Sequence, residues 1–147
     1  MTSPILLCTD GSELATASLA SGYAVLDHDR PVTILTVIEE SDPSLVTGSG
    51  FAGGVMSTEE LDVLAQERRD DGRQILDETA AALGLPDAGL IILEGAAGPA
   101  ICSYATDLAA SAIVVGTRGR SGIKRAILGS VSDHVVRNAP CPVMVVS

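Results

Sequence analysis

Five short apolar runs constrain the fold of this 147-residue chain more than any other feature. They lie at residues 5–8 (ILLC), 32–38 (VTILTVI), 90–93 (LIIL), 112–115 (AIVV) and 143–146 (VMVV). Most are continuous rather than alternating and are rich in β-branched residues, as strands buried on both faces of a parallel sheet are. Aromatic residues make up only 2% of the chain and Trp is absent, so the core has to be built from Val, Ile, Leu and Ala. At this length the expectation is one domain over residues 1–147, hiding roughly 70% of its unfolded surface.

The segments between the runs suit helices. Ser12 can cap a helix reaching about Asp27, with Leu14, Ala17, Ser21, Ala24 and Val25 near one face. Ser57 and Glu60 make a capping box that opens a long helix, ended near Leu83 by Gly84 and Pro86. Its apolar stripe is Leu61, Leu64, Ala65, Ile75, Leu76 and Leu83, interrupted by Arg68 and Gly72. Pro99 suits the first turn of a third helix that runs to about Ala109. Ser130 with Asp133 repeats the capping pattern before a short last helix, with Arg137 in its final turn and Pro140 as its stop. Strands alternating with helices predict an α/β fold, an open five-stranded parallel sheet with helices on both faces. The 41–57 segment, which contains GSGFAGG, reads as a loop, either a solvated insertion or a lid anchored by Phe51.

The formal charge is −10 and the pI about 4.4, which argues against nucleic acid or an anionic membrane as partner. Cys8, Cys102 and Cys141 are odd in number and lack zinc-type or CxxC spacing, so neither a disulfide framework nor a metal site is expected. The opening MTSPILLC has no basic n-region, and its apolar run is too short for a signal peptide or a span. A reducing cytoplasm is the default reading. Cys8 reads as a small buried apolar residue, with a redox sensor as the alternative.

Against this acidic background, residues 116–130 read GTRGRSGIKRAILGS. Glycine stands at 116, 119, 122 and 129, and Arg118, Arg120, Lys124 and Arg125 supply four of the nine basic residues. No Asp or Glu lies between Asp107 and Asp133. A glycine-rich loop can turn backbone N–H groups toward oxygen atoms, and the cations add field; both suit a polyphosphate. The segment is neither a GxxxxGK[ST] P-loop nor a GxGxxG fingerprint. In an open α/β sheet, ligands sit beyond the carboxyl ends of strands where the strand order reverses. If the first and fourth strands are neighbours, Asp10 and Gly116 line one crevice there.

The spacing G-x2-G-x9-G-[ST], met by Gly116, Gly119, Gly129 and Ser130, resembles the ATP-binding branch of the universal stress protein family. The likeness extends over nearly the whole chain. Residues 5–12 (ILLCTDGS) resemble the family's first strand and its Asp, and 138–146 (NAPCPVMVV) its terminal strand. Glu94-Gly95 followed by Gly98-Pro99-Ala100-Ile101 is similar to its third strand and the start of its third helix. Three positions depart from the pattern. Ser111 stands where an Asp often precedes the fourth strand, Thr36 replaces a frequent His, and the 95–99 linker is one residue longer.

The resemblance implies a Rossmann-like sheet of strand order 3-2-1-4-5. It implies that Asp10 and Gly116 contact ribose and that the Val37 backbone meets adenine. Gly119, Gly129, Ser130 and the Val131 amide would hold phosphates, with Thr9, Val115 and Arg118 completing the binding set. Arg118, Arg120, Lys124 and Arg125 read either as phosphate contacts or as a solvated basic loop. The implied cofactor is ATP, with or without Mg²⁺. The implied function is a stress-response regulator in which nucleotide occupancy alters a surface seen by a protein partner. A slow ATPase or adenylate-handling enzyme is the alternative, and a nucleotide-free interaction module a third. The family also implies a homodimer through the terminal strand, 142–146.

Overall fold

The computed structural model describes residues 2–38, 57–117 and 129–147. Five strands, β1 (Ile5–Cys8), β2 (Val32–Ile38), β3 (Gly89–Glu94), β4 (Ala112–Gly116) and β5 (Val143–Val146), form one parallel sheet. Its order is β3-β2-β1-β4-β5, as expected. Helices α1 (Glu13–Tyr23), α2 (Thr58–Leu83), α3 (Ala97–Leu108) and α4 (Ser130–Asn138) cover it on both sides. Residues 118–128, with Arg118, Gly119, Arg120, Lys124 and Arg125, and residues 39–56, with Phe51, lie outside the described residues. Among the described residues, no helix is long and apolar enough to cross a membrane.

The pleat of β1 divides the core in two. Ile5 and Leu7 join Leu19 of α1 and Leu76 and Ala80 of α2 on one face. Leu6 joins Ile101, Cys102 and Ala105 of α3 and Val135 of α4 on the other. With apolar residues needed on both faces, β1 has no polar position until Thr9. Partners also lie on both sides: Ile5 is in register with Val32 of β2 and with Ala112 of β4. Ser111 fastens the start of β4 to that of β1, its N–H and its hydroxyl both donating to the Pro4 carbonyl at 2.8 and 3.0 Å.

Local chemistry sets most helix ends. The Ser57–Glu60 capping box forms as read from the sequence, and Gly84 closes α2 at φ +66°. Gly72, which interrupts the apolar stripe of α2, is buried. A methyl there would stand 3.3 Å from Ile92 Cδ1, so the small residue lets the helix lie close on the sheet. Two expectations fail. Helix α1 ends at Tyr23, not near Asp27, and buries Ala15, Leu19 and Gly22, while Leu14 (49% exposed) and Val25 (74%) lie at the surface. Helix α4 takes Gly129 as its N-cap, with Ser130 as its first helical residue, so the expected Ser130–Asp133 capping pair does not form. Asp133 instead pairs with Arg137 one turn on, at 3.1 Å.

Leu19 has no accessible surface and meets core residues on every side. Leu19→Ala is expected to cost about 2–5 kcal/mol of stability, read as a lower urea midpoint at unchanged slope.

Candidate functional site

The strand order reverses between β1 and β4. From β1 the chain steps outward to β2 and β3, then crosses back through α3 to β4 on the other side. The helices that follow these two strands therefore diverge, and a crevice opens beyond their carboxyl ends.

The β1 side of the crevice is a tight turn. Buried Thr9 donates its N–H to the Leu35 carbonyl at 2.9 Å, which anchors the turn to β2. Its hydroxyl oxygen accepts from the Gly11 N–H at 3.0 Å, and the Asp10 Oδ1 accepts from the Ser12 N–H at 2.9 Å. Gly11 sits at φ +84°, a backbone state that favours glycine. Ser12 then caps α1 by accepting from the Ala15 N–H at 3.1 Å. The outcome is a half-buried carboxylate, Asp10, held at the rim by its own turn.

Strand β2 outruns β1. The Leu35 carbonyl faces β1 and takes the Thr9 N–H; two residues on, the Val37 N–H and carbonyl point the same way. By then β1 has turned off at Gly11. Among the described residues, neither Val37 group meets a backbone partner on that side. A donor and an acceptor thus stand side by side at the crevice edge, a pattern able to read the hydrogen-bonding edge of a planar base.

The β4 side brings an open helix end. Gly116 is in register with Val146, and the Thr117 N–H donates to the Val146 carbonyl at 2.9 Å. Gly129 packs directly on this strand end. A methyl at Gly129 would stand 3.0 Å from the Thr117 carbonyl oxygen, which explains a glycine at the N-cap. The Ser132 hydroxyl donates backward to the Gly129 carbonyl at 3.0 Å, and among the described residues no side chain caps the first N–H groups. Ser12 and Ser57 each cap one leading N–H of α1 and α2, whereas among the described residues no side chain caps α3 or α4. Exposed Ser130 and Val131 thus present N–H groups and the positive end of the helix dipole at the rim, an arrangement that favours an anion.

The geometry brings Thr9, Asp10 and Gly116 together on neighbouring strands, with Val37 on the next strand and Gly129, Ser130 and Val131 against the end of β4. The Val115 side chain is 3% exposed and belongs to the core, which leaves only its backbone for the crevice. Arg118 and Gly119 fall outside the described residues. Two contributors escaped sequence reasoning: Thr117, whose carbonyl requires Gly129, and Ile75, which packs on Gly11 from α2. The glycine in Asp10-Gly11 signals a turn but not what lies against it.

The family model described as Universal stress protein family matches residues 1–147. The chain belongs to the universal stress protein family. It is 34% identical to the universal stress protein YxiE of Bacillus subtilis, covering 99% of each chain. Among solved structures it is similar to hypothetical protein MJ0577, with a TM-score of 0.77, 25% identity and coverage of 99% of this chain and 96% of that one. A universal stress protein in complex with cAMP shares the fold at a TM-score of 0.58 and 23% identity, with 98% and 95% coverage. An Arabidopsis thaliana family protein with AMP bound does so at 0.64 and 18%, with 98% and 90% coverage.

The departures noted in the sequence can be placed within this universal stress protein fold. Ser111 takes part in the β1–β4 junction, and Thr36 is buried in β2. The three cysteines, remote in sequence, converge on the α3–α4 face of the sheet. Burial pushes the Cys8 thiol well above its ordinary value of 9.0, and Cys102 and Cys141 push it further. Burial also raises Cys102 and Cys141, the latter with help from Cys102. Thiols held neutral in this way are poor nucleophiles, which favours the apolar reading of Cys8 over a redox sensor. Among the described residues, no group of three His, Cys, Asp or Glu side chains is arranged to hold a metal ion.

The raised thiols link stability to alkaline pH. The unfolded chain ionises its thiols near 9.0, whereas the folded protein keeps them neutral. Their contribution is full below that pH and is lost as pH rises beyond it. The urea midpoint is expected to fall between about pH 8 and about pH 10, and to fall less in Cys8→Ala.

Proposed function

We propose that this universal stress protein binds ATP, with or without Mg²⁺, in the β1–β4 crevice, as a regulator whose occupancy alters a surface seen by a protein partner. The observation that carries this reading is the uncapped start of α4, seated by Gly129 on the end of β4 and facing the rim that holds Asp10. Asp10 and Gly116 would take the ribose, Thr9 and Val115 would support the strand ends, and the Val37 backbone would take the adenine edge. The Gly129, Ser130 and Val131 segment would hold phosphate oxygens, with Gly119 and Arg118 supplied by the basic glycine segment. That segment favours a polyphosphate over a monophosphate, because four cations stand in a chain of net charge −10. The cAMP and AMP complexes of two structural neighbours are in keeping with an adenine nucleotide. On this reading residues 1–147 act as one domain.

Gly129→Val tests the reading directly. A branched side chain would drive α4 away from the Thr117 carbonyl, and ATP affinity by calorimetry is expected to fall at least about tenfold. Circular dichroism would confirm that the variant folds. Unchanged affinity would remove the assignment. The same preparation separates regulator from enzyme. ATP that remains intact over hours supports the regulator, whereas steady ADP release that disappears in Asp10→Ala supports the slow ATPase.

We also propose a homodimer through the terminal strand. Strand β5 forms one edge of the sheet, and its four residues, Val143, Met144, Val145 and Val146, are all apolar and half-buried. An apolar edge of this kind is an aggregation hazard unless it is paired. Sedimentation at micromolar concentration is expected to show a dimer, and a monomer would count against the pairing.

A further inference from the structure

Helix α2 reaches the crevice at one point. Gly11 has no side chain, and the space its Cβ would take is filled by Ile75. The Cγ1, Cδ1 and Cγ2 atoms of Ile75 lie 2.8, 2.9 and 3.2 Å from that position. Ile75 belongs to neither core cluster, although its neighbour Leu76 is fully buried in one. Its half-buried side chain is directed at the turn after β1.

The hydrogen bonds within that turn are short-range. Gly11 to Thr9 and Ser12 to Asp10 each join residues two apart and shape the turn locally. The Thr9 bond to Leu35 anchors only its start. Ile75, by contrast, is rigidly mounted. It is β-branched and stiff at χ1 in a helix. Its carbonyl accepts from the Thr79 hydroxyl at 2.7 Å. One turn earlier Gly72 seats α2 on Ile38 and Ile92, and Arg69 meets Glu94 at 3.1 Å at the end of β3. The groove of about 390 Å³ beside Ile75, between α1 and α2, is lined largely by small side chains such as Ala17, Ala20 and Ala82.

We propose that Ile75 is a positioning residue for nucleotide recognition: it buttresses Gly11 and thereby holds the Asp10 carboxylate where it meets the ribose hydroxyls. The proposal rests on the nucleotide reading above and assigns to α2 a role in sugar selection. Truncating Ile75 opens the groove into the turn and frees Gly11 to shift, so the loss falls on the ribose contact alone. On the nucleotide reading, the base and phosphate contacts lie on β2 and α4 rather than on the turn that Ile75 packs against.

Calorimetric titration of ATP and 2′,3′-dideoxy-ATP into the wild-type chain, Ile75→Ala, Ile75→Val and Gly11→Ala tests this. The wild-type chain is expected to prefer ATP by about tenfold or more, the worth of a hydrogen bond to a charged group. In Ile75→Ala that preference should collapse toward one, with dideoxy-ATP affinity unchanged within about twofold. Ile75→Val should keep part of the preference, and Gly11→Ala, which displaces Ile75 from the other side, should lose it. A preference that survives in Ile75→Ala overturns the proposal. So does an equal loss for both nucleotides, which would mark Ile75 as merely structural. If Ile75→Ala fails to fold, Ile75→Val decides: a reduced preference supports the proposal and an unchanged one overturns it. A wild-type chain that binds neither nucleotide overturns the nucleotide reading itself, and this inference with it.

Discussion

Leu6 and Leu7 point to opposite faces of the sheet and neither has any accessible surface. Strand β1 is also flanked on both edges, by β2 and by β4. Enclosed in all four directions, β1 is built of Ile5, Leu6, Leu7 and Cys8, and Thr9 and Asp10 emerge only where it ends. That end lies where the chain's path across the sheet reverses, and the helices on either side diverge there. The place of the crevice and the presence of a carboxylate at its mouth both follow from how β1 is packed. Pro4 and Ser111 fasten the other end of the same pair, so the β1–β4 seam is held at the end away from the crevice.

The helix ends around the crevice divide the electrostatic work. The capping groups of α1 and α2 come from their own sequence, Ser12 taking the Ala15 N–H and Ser57 the Glu60 N–H. Among the described residues, no side chain caps the start of α4. In a molecule of net charge −10 an approaching anion meets long-range repulsion. Attraction has to be short-range, and a helix terminus whose field fades within a turn is suited to that task.

What could be read from the sequence followed how local each determinant is. The five strands were legible because a doubly buried strand leaves a continuous apolar run, and the α2 cap because Ser57 and Glu60 lie within one turn. The buried face of α1 was not, because Ala, Ser, Gly and Leu surround that helix and give weak periodicity. The strand order came from family resemblance, since spacing alone does not say on which side of β1 the fourth strand lies. At α4, Ser130 and Asp133 satisfied the local capping rule, yet the Thr117 carbonyl twelve residues upstream decided the cap in favour of Gly129. Ile75 read as one more residue of an apolar stripe, because its partner Gly11 lies 64 positions away. The misses around the crevice thus fall where the deciding contact is distant in sequence.

The seam between β1 and β4 has a consequence for the order in which the molecule is made. Ile5 pairs with Ala112, so during N-to-C synthesis one edge of β1 stays bare until most of the chain has appeared. Contacts of such separation close late, because the intervening chain must be ordered first. The residues of the Asp10 turn are made early and gain their supports with Leu35 and Ile75, but the helix end opposite arrives only with Gly129. A growing chain can hold half of the crevice for most of its synthesis without being able to use it. On the proposed reading, ligand capture through both halves would therefore be a property of the completed molecule and would separate finished chains from unfinished ones.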